Sequence, residues 1–317
     1  MSFLETLLSK TGVSTPSTDY ATLPISKFVG DFSHDFWTTP NGGSKHHNES
    51  IKKIQKFVRF DDFSVRPLSN YNSLHLYAFR DYMLNSHYNY KAKSYGVTNA
   101  TANNYKACLS KVFNRAYQWD IIPKKPWMEQ LPTTQQRRRV LTTKEQKDLV
   151  DFFKDSEWQW VHHLNEIALT TGMRKAEVLG INQTPKTLPL DWKTYGTVSA
   201  AGKYVVLYET KNTFPREVPL PPRAQKALKA LNGKPLEFYN VHSFYKAWHD
   251  ARYAIAKNDS SFTYHALRHT FASTMANAPI SLNIAVLAEI LGHKSIQTTK
   301  RYVHADRQAM YDVVSGL

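Results

Sequence analysis

Residues 289–304 of the chain read EILGHKSIQTTKRYVH and place a histidine and a tyrosine after a predicted helix. Gly292 ends the apolar run of that helix, and glycine readily adopts the left-handed conformation found at helix ends. His293 follows directly, and Tyr302 lies nine residues beyond it. Tyr302 is a candidate nucleophile. It could equally be an ordinary aromatic on a helix surface, since the chain has 18 tyrosines, and His293 only a residue that starts a helix.

A second helical segment upstream, HALRHTFAS at residues 265–273, contains two histidines four residues apart. His265 and Arg268 are three residues apart and therefore share a helix face, where both can contact a single phosphate. His269 lies about 100 degrees further round the helix than Arg268. We predict that His269 points into the protein as a structural, hydrogen-bonding side chain. A histidine metal site would need further ligands, and no carboxylate stands at a suitable spacing.

The segment TGMRKAEVLGI at residues 171–181 carries an arginine just after another predicted helix end. Gly172 is expected to end the helix in the left-handed conformation. Arg174 follows it, and Glu177 lies about one helical turn further on. Arg174 is a candidate phosphate ligand, because a guanidinium bonds two oxygens at once and stays protonated. It could instead only form an i, i+3 salt bridge with Glu177.

Two strands are predicted between these segments, KYVVLYE and REVPL, around the turn TKNTFP at residues 210–215. Lys211 lies in that turn, where a flexible ammonium can reach into a groove. Lys203 is an alternative lysine nearby. The interval before Lys203 shows no clear first strand of the sheet.

The composition favours a polyanionic partner. Lys and Arg number 41 against 26 Asp and Glu, for a formal net charge of +15, and basic side chains displace condensed counterions from nucleic acid. A basic pI kept for solubility is the alternative. Cys108 is the only cysteine, which excludes a disulfide framework and a cysteine zinc site, and we expect it to be buried. No apolar run is long enough to span a bilayer, so a cytoplasmic protein with no membrane partner is expected.

Several common enzyme motifs are absent from the sequence. It has no Walker-type phosphate loop, dinucleotide fingerprint or G-x-S-x-G elbow, and no acidic cluster spaced to hold two magnesium ions. We therefore expect any DNA chemistry to proceed with no cofactor and no metal. Such chemistry needs fixed donors for the phosphate oxygens, a nucleophile that stays attached, and an acid for the leaving oxygen.

The chain is predicted to have four parts. Residues 1–45 form a partly ordered N-terminal arm, 46–122 a helical DNA-binding domain, 123–139 a basic interdomain linker, and 140–317 a catalytic domain with a C-terminal tail. The tail AMYDVVSGL could pack on a neighbouring protomer or on its own chain. Basic residues along one predicted helix and in the linker are candidate DNA contacts, or solvent-facing side chains: Lys106, Lys111, Arg115, Arg137, Arg138 and Arg139.

The helix that carries the first three of these contacts has an apolar stripe of helical period. The stripe occupies offsets 0, 3, 4, 7, 8, 11 and 12, and its members are Tyr105, Cys108, Leu109, Val112, Phe113, Ala116 and Tyr117. We expect this stripe to face the core of the first domain.

Four segments in this order resemble the conserved boxes of the tyrosine recombinase, or phage integrase, family: TGMRKAEVLGI, YETKNTFPREVPL, HALRHTFAS and LGHKSIQTTKRYVH. The resemblance covers about residues 140–305, and residues 101–122 are similar to the end of the family's core-binding domain. It implies a mainly α fold with a small antiparallel β-sheet, in which a helical core-binding domain precedes a mixed α/β catalytic domain. Any one box is a weak signal, whereas the ordered set is specific.

The resemblance also implies roles for individual residues. Tyr302 would form a 3′-phosphotyrosyl link, while Arg174 and Arg268 would bind the nonbridging oxygens of the scissile phosphate. The remaining site residues implied by the resemblance are His293 as a further hydrogen-bond donor, His265 in proton transfer, Lys211 as the acid for the leaving 5′ oxygen, and Glu177 as the residue that orients the others.

By this resemblance the chain is expected to be a site-specific DNA recombinase that works through a Holliday junction. Phage or mobile-element integration and excision is the first expectation. A chromosome- or plasmid-dimer resolvase and a noncatalytic DNA-binding relative are the alternatives. The expected partners are double-stranded DNA with specific recombination sites, three further copies in a homotetramer on two sites, and accessory DNA-bending or directionality proteins. The expected location is the nucleoid of a bacterial or archaeal host.

Overall fold

The computed structural model of the chain divides into two compact units, Met1–Gln135 and Gln136–Leu317. Within them the structure describes residues 19–37, 44–60, 66–89, 93–133, 139–189, 192, 194–208, 215–278 and 283–303. In these ranges the fold is mainly helical with two small antiparallel sheets, which confirms the predicted fold class. None of the helices described there is long and apolar enough to cross a membrane.

The first unit combines helices with one short hairpin. Its elements are α1 (Ile25–Trp37), α2 (Ser44–Phe60), α3 (Ser73–Asn85), β1 (Tyr88–Asn89), β2 (Ser94–Tyr95) and α4 (Asn99–Gln118). The first three helices all pack on α4. Aromatic rings fill the space between them: the Phe57 and Phe79 centroids are 5.2 Å apart, and those of Phe28 and Trp119 are 6.0 Å apart. Such pairs add to the free energy gained by burying their area.

The apolar stripe predicted along α4 is buried over most of its length, from Cys108 to Ala116. Cys108 is 9% exposed, as expected for a small core side chain. Tyr117 is 49% exposed, so the prediction is wrong at the last position. Ala116 lies at the centre of the buried face, and Tyr117 projects about 100 degrees further round the helix.

The proline-containing segment after α4 is fastened to that helix by side-chain amides. The Asn103 amide donates to the Leu131 carbonyl and accepts from the Leu131 amide, both at 2.9 Å, and Asn99 donates to the Pro132 carbonyl at 2.8 Å. The division between the two units falls inside the segment predicted as a linker. Helix α1 lies inside the predicted arm, whose residues 1–18 are outside the described part of the chain.

The second unit contains most of the helices and a three-stranded sheet of order β3-β4-β5. Its elements are α5 (Thr143–Lys154), α6 (Gln159–Thr171), α7 (Lys175–Leu179), β3 (Gly196–Val198), β4 (Tyr204–Leu207), β5 (Arg216–Pro219), α8 (Pro222–Ala230), α9 (Pro235–Phe238), α10 (Val241–Ala256), α11 (Tyr264–Ala276), α12 (Ile284–Leu291) and α13 (Ile296–Lys300).

Helix α6 runs through the core of this unit and packs against α5, α8 and α11. Val161, Leu164 and Ile167 on α6 are fully buried. The hydroxyl of Tyr264, on α11, donates to the Leu164 carbonyl at 2.9 Å. This contact and the surrounding apolar side chains fix α11, which carries the histidines and Arg268, relative to α6.

The sheet contains the hairpin predicted from the sequence and one strand that the sequence did not show. Strands β4 and β5 are antiparallel with Val205 opposite Val218, and both side chains are fully buried. The unpredicted strand β3 pairs with β4 over three residues. A Cβ at Gly196 would lie 2.5 Å from the Val206 carbonyl oxygen, so the close approach of β3 to β4 requires glycine there.

Both glycines that were expected to end helices do so. Gly172 follows α6 with φ of 65° and Gly292 follows α12 with φ of 61°, in the left-handed region. A capping box is present at the start of α5. Thr142 Oγ1 accepts from the Glu145 amide at 3.2 Å, and Glu145 Oε2 accepts from the Thr142 amide at 2.8 Å.

Candidate active site

A buried carboxylate lies at the centre of the polar site in the second unit. Glu177, on α7, is 1% exposed. Its Oε1 accepts from Arg174 Nη1 at 2.8 Å, and its two oxygens accept from Arg216 Nη1 and Nη2 at 3.0 and 2.9 Å. Oε2 also accepts from the Arg174 amide at 2.7 Å. The i, i+3 salt bridge considered for Arg174 is therefore present, within a larger network.

The charge of Glu177 is stabilised by the arginines around it. Burial alone would raise the pKa of this carboxyl, but the hydrogen bond and charge of Arg216, together with the charges of Arg174 and Arg268, lower the pKa from 4.5 to about 2. The carboxylate is therefore ionised at every physiological pH. It holds the guanidinium groups at fixed positions.

Arg268, on α11, is buried between the C-terminal ends of two helices. Nη1 donates to the Gly172 carbonyl at 2.7 Å and Nη2 to the Leu291 carbonyl at 2.5 Å. Burial, and then the charge of Arg174, lower the pKa of Arg268 to about 9, which leaves the guanidinium protonated at neutral pH. The carbonyl ends of helices carry partial negative charge, so they stabilise a buried cation at this position.

Arg216 links the sheet to α12. It begins β5, its Nε donates to the Ile290 carbonyl at 3.1 Å, and its guanidinium packs over Gly292. A Cβ at Gly292 would lie 2.6 Å from Arg216 Nη1. Gly292 is thus required for its backbone conformation and for the space that Arg216 occupies.

Tyr302 lies just after α13 and is 4% exposed, packed with Ala272, Leu287 and Leu291. It is therefore not an aromatic on a helix surface. Its amide donates to the Thr299 carbonyl at 2.9 Å, and its carbonyl accepts from Asn277 Nδ2 at 3.0 Å. These contacts fix the backbone at Tyr302, while the apolar packing of its ring holds the side chain.

The His293 and His269 rings lie beside Tyr302, and His265 lies beside His269. The His293 ring is parallel to the Tyr302 ring, with an interplanar angle of 9° and centroids 6.4 Å apart, and His293 Nδ1 lies 2.7 Å from Thr299 Oγ1. His265 is exposed, and its ring centroid is 4.6 Å from that of His269. Arg268 and Tyr302 interact electrostatically as well. The structure thus brings Arg174, Arg268, His293 and Tyr302 into one region, with His265 at its edge.

His269 makes a hydrogen bond, as predicted, but its partner was not foreseen. Its Nδ1 lies 2.6 Å from the Tyr302 hydroxyl, so the side chain contacts the candidate nucleophile. The prediction considered only rotation about α11, which does turn His269 away from Arg268. It did not include Tyr302, which reaches that face of the helix from a segment 33 residues later in the chain.

Some predicted positions cannot be placed in the site. Lys211, Arg137, Arg138 and the C-terminal tail lie outside the described residues. Lys203 is described and exposed just before β4. Arg139 is also described: it donates to Asp259 Oδ2 at 3.1 Å and to the Val140 carbonyl at 2.7 Å, and it pairs with Glu145. These contacts of Arg139 are all to residues of its own unit.

The other candidate DNA contacts lie on α4 in the first unit. Lys111 is exposed, while Lys106 and Arg115 are partly exposed. The Arg115 guanidinium lies 5.4 Å from the ring centroid of Trp119. This cation–π contact covers one face of the ring and orients Arg115 along the helix.

Residues 139–309 match the phage integrase family, and residues 29–133 match the phage integrase SAM-like domain. The chain belongs to the phage integrase family. The first match contains all four boxes recognised in the sequence, and the second contains α4. The predicted family is therefore confirmed.

Curated relatives of this integrase-family chain include recombinases and transposases. It is 29% identical over 215 residues to a shufflon-specific DNA recombinase of Escherichia coli, covering 66% of this chain and 52% of that protein. It is also 29% identical over 249 residues to the transposase of transposon Tn916 from Enterococcus faecalis, covering 66% of this chain and 60% of that protein. The chain thus spans about half to three fifths of the length of these relatives.

Solved structures of integrases share the fold. The Tn1549 transposon integrase in complex with transposon right end DNA has a TM-score of 0.64 and 20% identity, covering 93% of this chain and 99% of that one. A lambda integrase dimer bound to a core site has a TM-score of 0.60 and 15% identity, covering 90% and 97%. These likenesses confirm the mixed architecture of a helical unit and an α/β unit.

Sequence reasoning missed two polar residues of this integrase-family site, Arg216 and His269. Arg216 stands in the quoted segment REVPL but has no nearby partner in sequence, since Glu177 precedes it by 39 residues. The one available signal was a lone arginine at the start of a buried strand, where charge requires a partner. His269 was identified as a hydrogen-bonding residue, but its partner could not be derived from the helix alone.

Proposed function

We propose that the chain is a site-specific DNA recombinase that cleaves and rejoins strands through a 3′-phosphotyrosyl intermediate and a Holliday junction. The observation that carries the proposal is the setting of Tyr302. Its hydroxyl lies 2.6 Å from a histidine nitrogen, and it shares the region with Arg268, which is held by the carbonyls of Gly172 and Leu291. A free tyrosine has a pKa near 10, and nearby arginine charge favours its phenolate.

The names of the relatives support a role in mobile DNA. They include a shufflon-specific recombinase and a Tn916 transposase, and the solved neighbours include a transposon integrase bound to transposon end DNA. Integration and excision of a phage or mobile element is the function we favour. The net charge of +15 supports double-stranded DNA as the partner.

Arg174 and Arg268 are assigned to the nonbridging oxygens of the scissile phosphate. Both are held by fixed groups, Arg174 by Glu177 and Arg268 by two backbone carbonyls. Donors that are already oriented stabilise the charge of the transition state with little reorganisation. We assign His293 as a further donor and His265 to proton transfer at the exposed edge of the site.

The cleavage step exchanges one phosphoester for another. A bond forms between Tyr302 Oη and phosphorus as the phenolic proton leaves Oη for a base in the site. The bond between phosphorus and the 5′ oxygen breaks, and the 5′ oxygen takes a proton from Lys211. Religation reverses these events from the new 5′-hydroxyl. Because the ester is conserved, the cycle requires no ATP.

The working assembly is proposed to be a homotetramer on two DNA sites, with the helical domain at 46–122 and the catalytic domain at 140–317 both on the duplex. The basic linker at 123–139 would lie along the phosphate backbone, and Lys106, Lys111 and Arg115 would contact DNA from α4. We also propose that accessory DNA-bending or directionality proteins take part, and that the chain acts in the host nucleoid.

The test is capture of the covalent intermediate. The chain is incubated in EDTA with nicked duplexes tiled across the DNA that flanks its gene, denatured, and examined for protein–DNA adducts. We expect an adduct from the unchanged chain and from Tyr253→Phe, which alters a tyrosine that is 71% exposed. Tyr302→Phe should bind the same duplexes and form none.

Three results would point elsewhere. Binding with no adduct from any duplex would indicate a noncatalytic DNA-binding protein, and an adduct that survives Tyr302→Phe would move the nucleophile to another residue. Adducts confined to one site in the host chromosome, with none at the ends of an element, would favour a dimer resolvase.

A further inference from the structure

His269 contacts the reacting atom of the proposed nucleophile, yet the assignments above give it no role. The distance from its Nδ1 to Tyr302 Oη is 2.6 Å, short for a nitrogen–oxygen hydrogen bond. We propose that His269 is the general base that takes the phenolic proton of Tyr302 as the tyrosine attacks the phosphate. This inference rests on the proposed recombinase function and adds to it the group that activates the nucleophile.

The pair is fixed from both sides. His269 lies in the middle of α11, which is held by the Tyr264 contact to α6 and by Arg268. Tyr302 is held by Thr299 and Asn277 through its backbone and is 4% exposed. Rigid partners allow proton transfer with little loss of entropy, because the geometry exists before DNA binds.

The chemistry of the two groups gives the direction of transfer. Whether Nδ1 accepts from a phenol or donates to a phenolate, one proton lies between Nδ1 and Oη. Imidazole ordinarily titrates near 6.5 and phenol near 10. Transfer therefore becomes favourable as the bond from Oη to phosphorus forms and the oxygen loses its basicity. The proton leaves Oη for Nδ1, the phosphorus bond to the 5′ oxygen breaks, and a separate acid protonates that oxygen.

The neighbouring ionisable groups have other contacts. On α11 itself, His265 is exposed and contacts the His269 ring edge to face, and Arg268 bonds the two helix ends. From the segment after α12, His293 stacks on the Tyr302 ring and places its Nδ1 against Thr299. His269 Nδ1 lies at hydrogen-bonding distance from the Tyr302 hydroxyl, where a base that accepts the phenolic proton must lie.

The first experiment needs no knowledge of the DNA site. The imidazole nitrogens of His269 are observed by nitrogen-15 NMR in the whole chain and in Tyr302→Phe, and the phenol titration of Tyr302 is followed in the whole chain and in His269→Gln. We expect the His269 resonances to shift in the first comparison and the Tyr302 titration to move in the second. If neither changes, the hydrogen-bonded pair is absent in solution and the proposal is wrong.

The second experiment measures cleavage of a duplex that gives an adduct with the unchanged chain. Glutamine can accept the hydroxyl hydrogen bond but cannot take up the proton, so His269→Gln separates base catalysis from positioning. We expect His269→Gln and His269→Ala to lose on the order of 100-fold in rate, and to lose the rise in rate with pH that follows imidazole deprotonation. His249→Gln, at an exposed histidine with a side chain 62% exposed, should cleave normally.

A substrate with a 5′-bridging phosphorothiolate identifies which proton is involved. Its thiolate leaving group needs no acid, so it restores variants that lack the leaving-group acid. It should leave the His269 variants slow. Three results would each overturn the proposal. They are rescue of His269→Gln by this substrate, a His269→Gln rate on ordinary DNA within about threefold of the unchanged chain, and an unaltered pH profile. Failure of the unchanged chain to form any adduct would instead overturn the recombinase function, and this inference with it.

Discussion

Removing the charge of Glu177 should destabilise the second unit by an amount that the structure allows us to calculate. Glu177→Gln keeps the shape of the side chain and removes its negative charge. Arg216, whose side chain is 7% exposed, then remains buried beside a neutral amide. Breaking a buried ion pair at one partner usually costs about 3–5 kcal/mol, because an uncompensated charge is left behind.

The pKa of Glu177 gives an independent magnitude. It is lowered from 4.5 to about 2, and each unit corresponds to about 1.36 kcal/mol. The ionised carboxylate thus contributes about 3 kcal/mol to the free energy of unfolding, and Glu177→Gln should lose about that much. The contribution is complete above pH 4.5, where the unfolded carboxyl is ionised, and is lost as pH falls from there toward 2.

Urea unfolding, followed by hydrogen exchange of peptides from the second unit, measures this loss at a series of pH values. The difference between the unchanged chain and Glu177→Gln should be constant from pH 7 to 5, and should fall by about 1 kcal/mol between pH 4.5 and 3.5. Glu237→Gln is the matched control, since that side chain is 55% exposed in a surface pair and should change stability by less than about 1 kcal/mol. A loss below 1 kcal/mol at Glu177, or a difference independent of pH, would refute the argument that the arginines hold a buried charge.

Two further substitutions test the local geometry of this unit. Gly292→Ala places a Cβ on a backbone with φ of 61° and against Arg216, so thermal unfolding should show a stability loss of at least about 1–2 kcal/mol. Gly202→Ala is the control: nothing lies within 4 Å of its new Cβ, so it measures the cost of the positive φ alone. Equal losses at the two glycines would show that Arg216 moves aside freely. Thr142→Ala removes the cap of α5 and should lower the free energy of unfolding in urea by about 1 kcal/mol. Thr142→Ser keeps the hydroxyl and should retain most of the stability. If the Ser variant is as unstable as the Ala variant, the hydroxyl does not provide the stabilisation.

Much of the second unit could be predicted because its signals are local. Gly172 and Gly292 end helices for steric reasons that act at a single residue, and Thr142 with Glu145 forms a box within one turn. The hairpin of β4 and β5 follows from two β-rich segments on either side of a polar turn. The four family-like segments, through their resemblance, also indicated which arginines, histidines and tyrosine to expect in the site.

The remaining features depend on contacts between distant segments. Strand β3 has three residues, too few for a period, and it is defined by pairing with β4. Arg216 acquires its role from Glu177, and His269 from Tyr302, neither of which is near in sequence. Helical geometry correctly separated His269 from Arg268 but could not show what approaches from outside the helix.

The two carbonyl contacts of Arg268 limit how it could bind a DNA phosphate. The carbonyls of Gly172, just after α6, and of Leu291, at the end of α12, already accept from its guanidinium. This cation is therefore oriented before any phosphate arrives. Arg268 would therefore bind poorly to a phosphodiester that presents its oxygens at another angle. Its guanidinium cannot turn toward those oxygens without breaking both hydrogen bonds. The angle at which Arg268 meets a phosphate would then be set by two backbone carbonyls at helix ends.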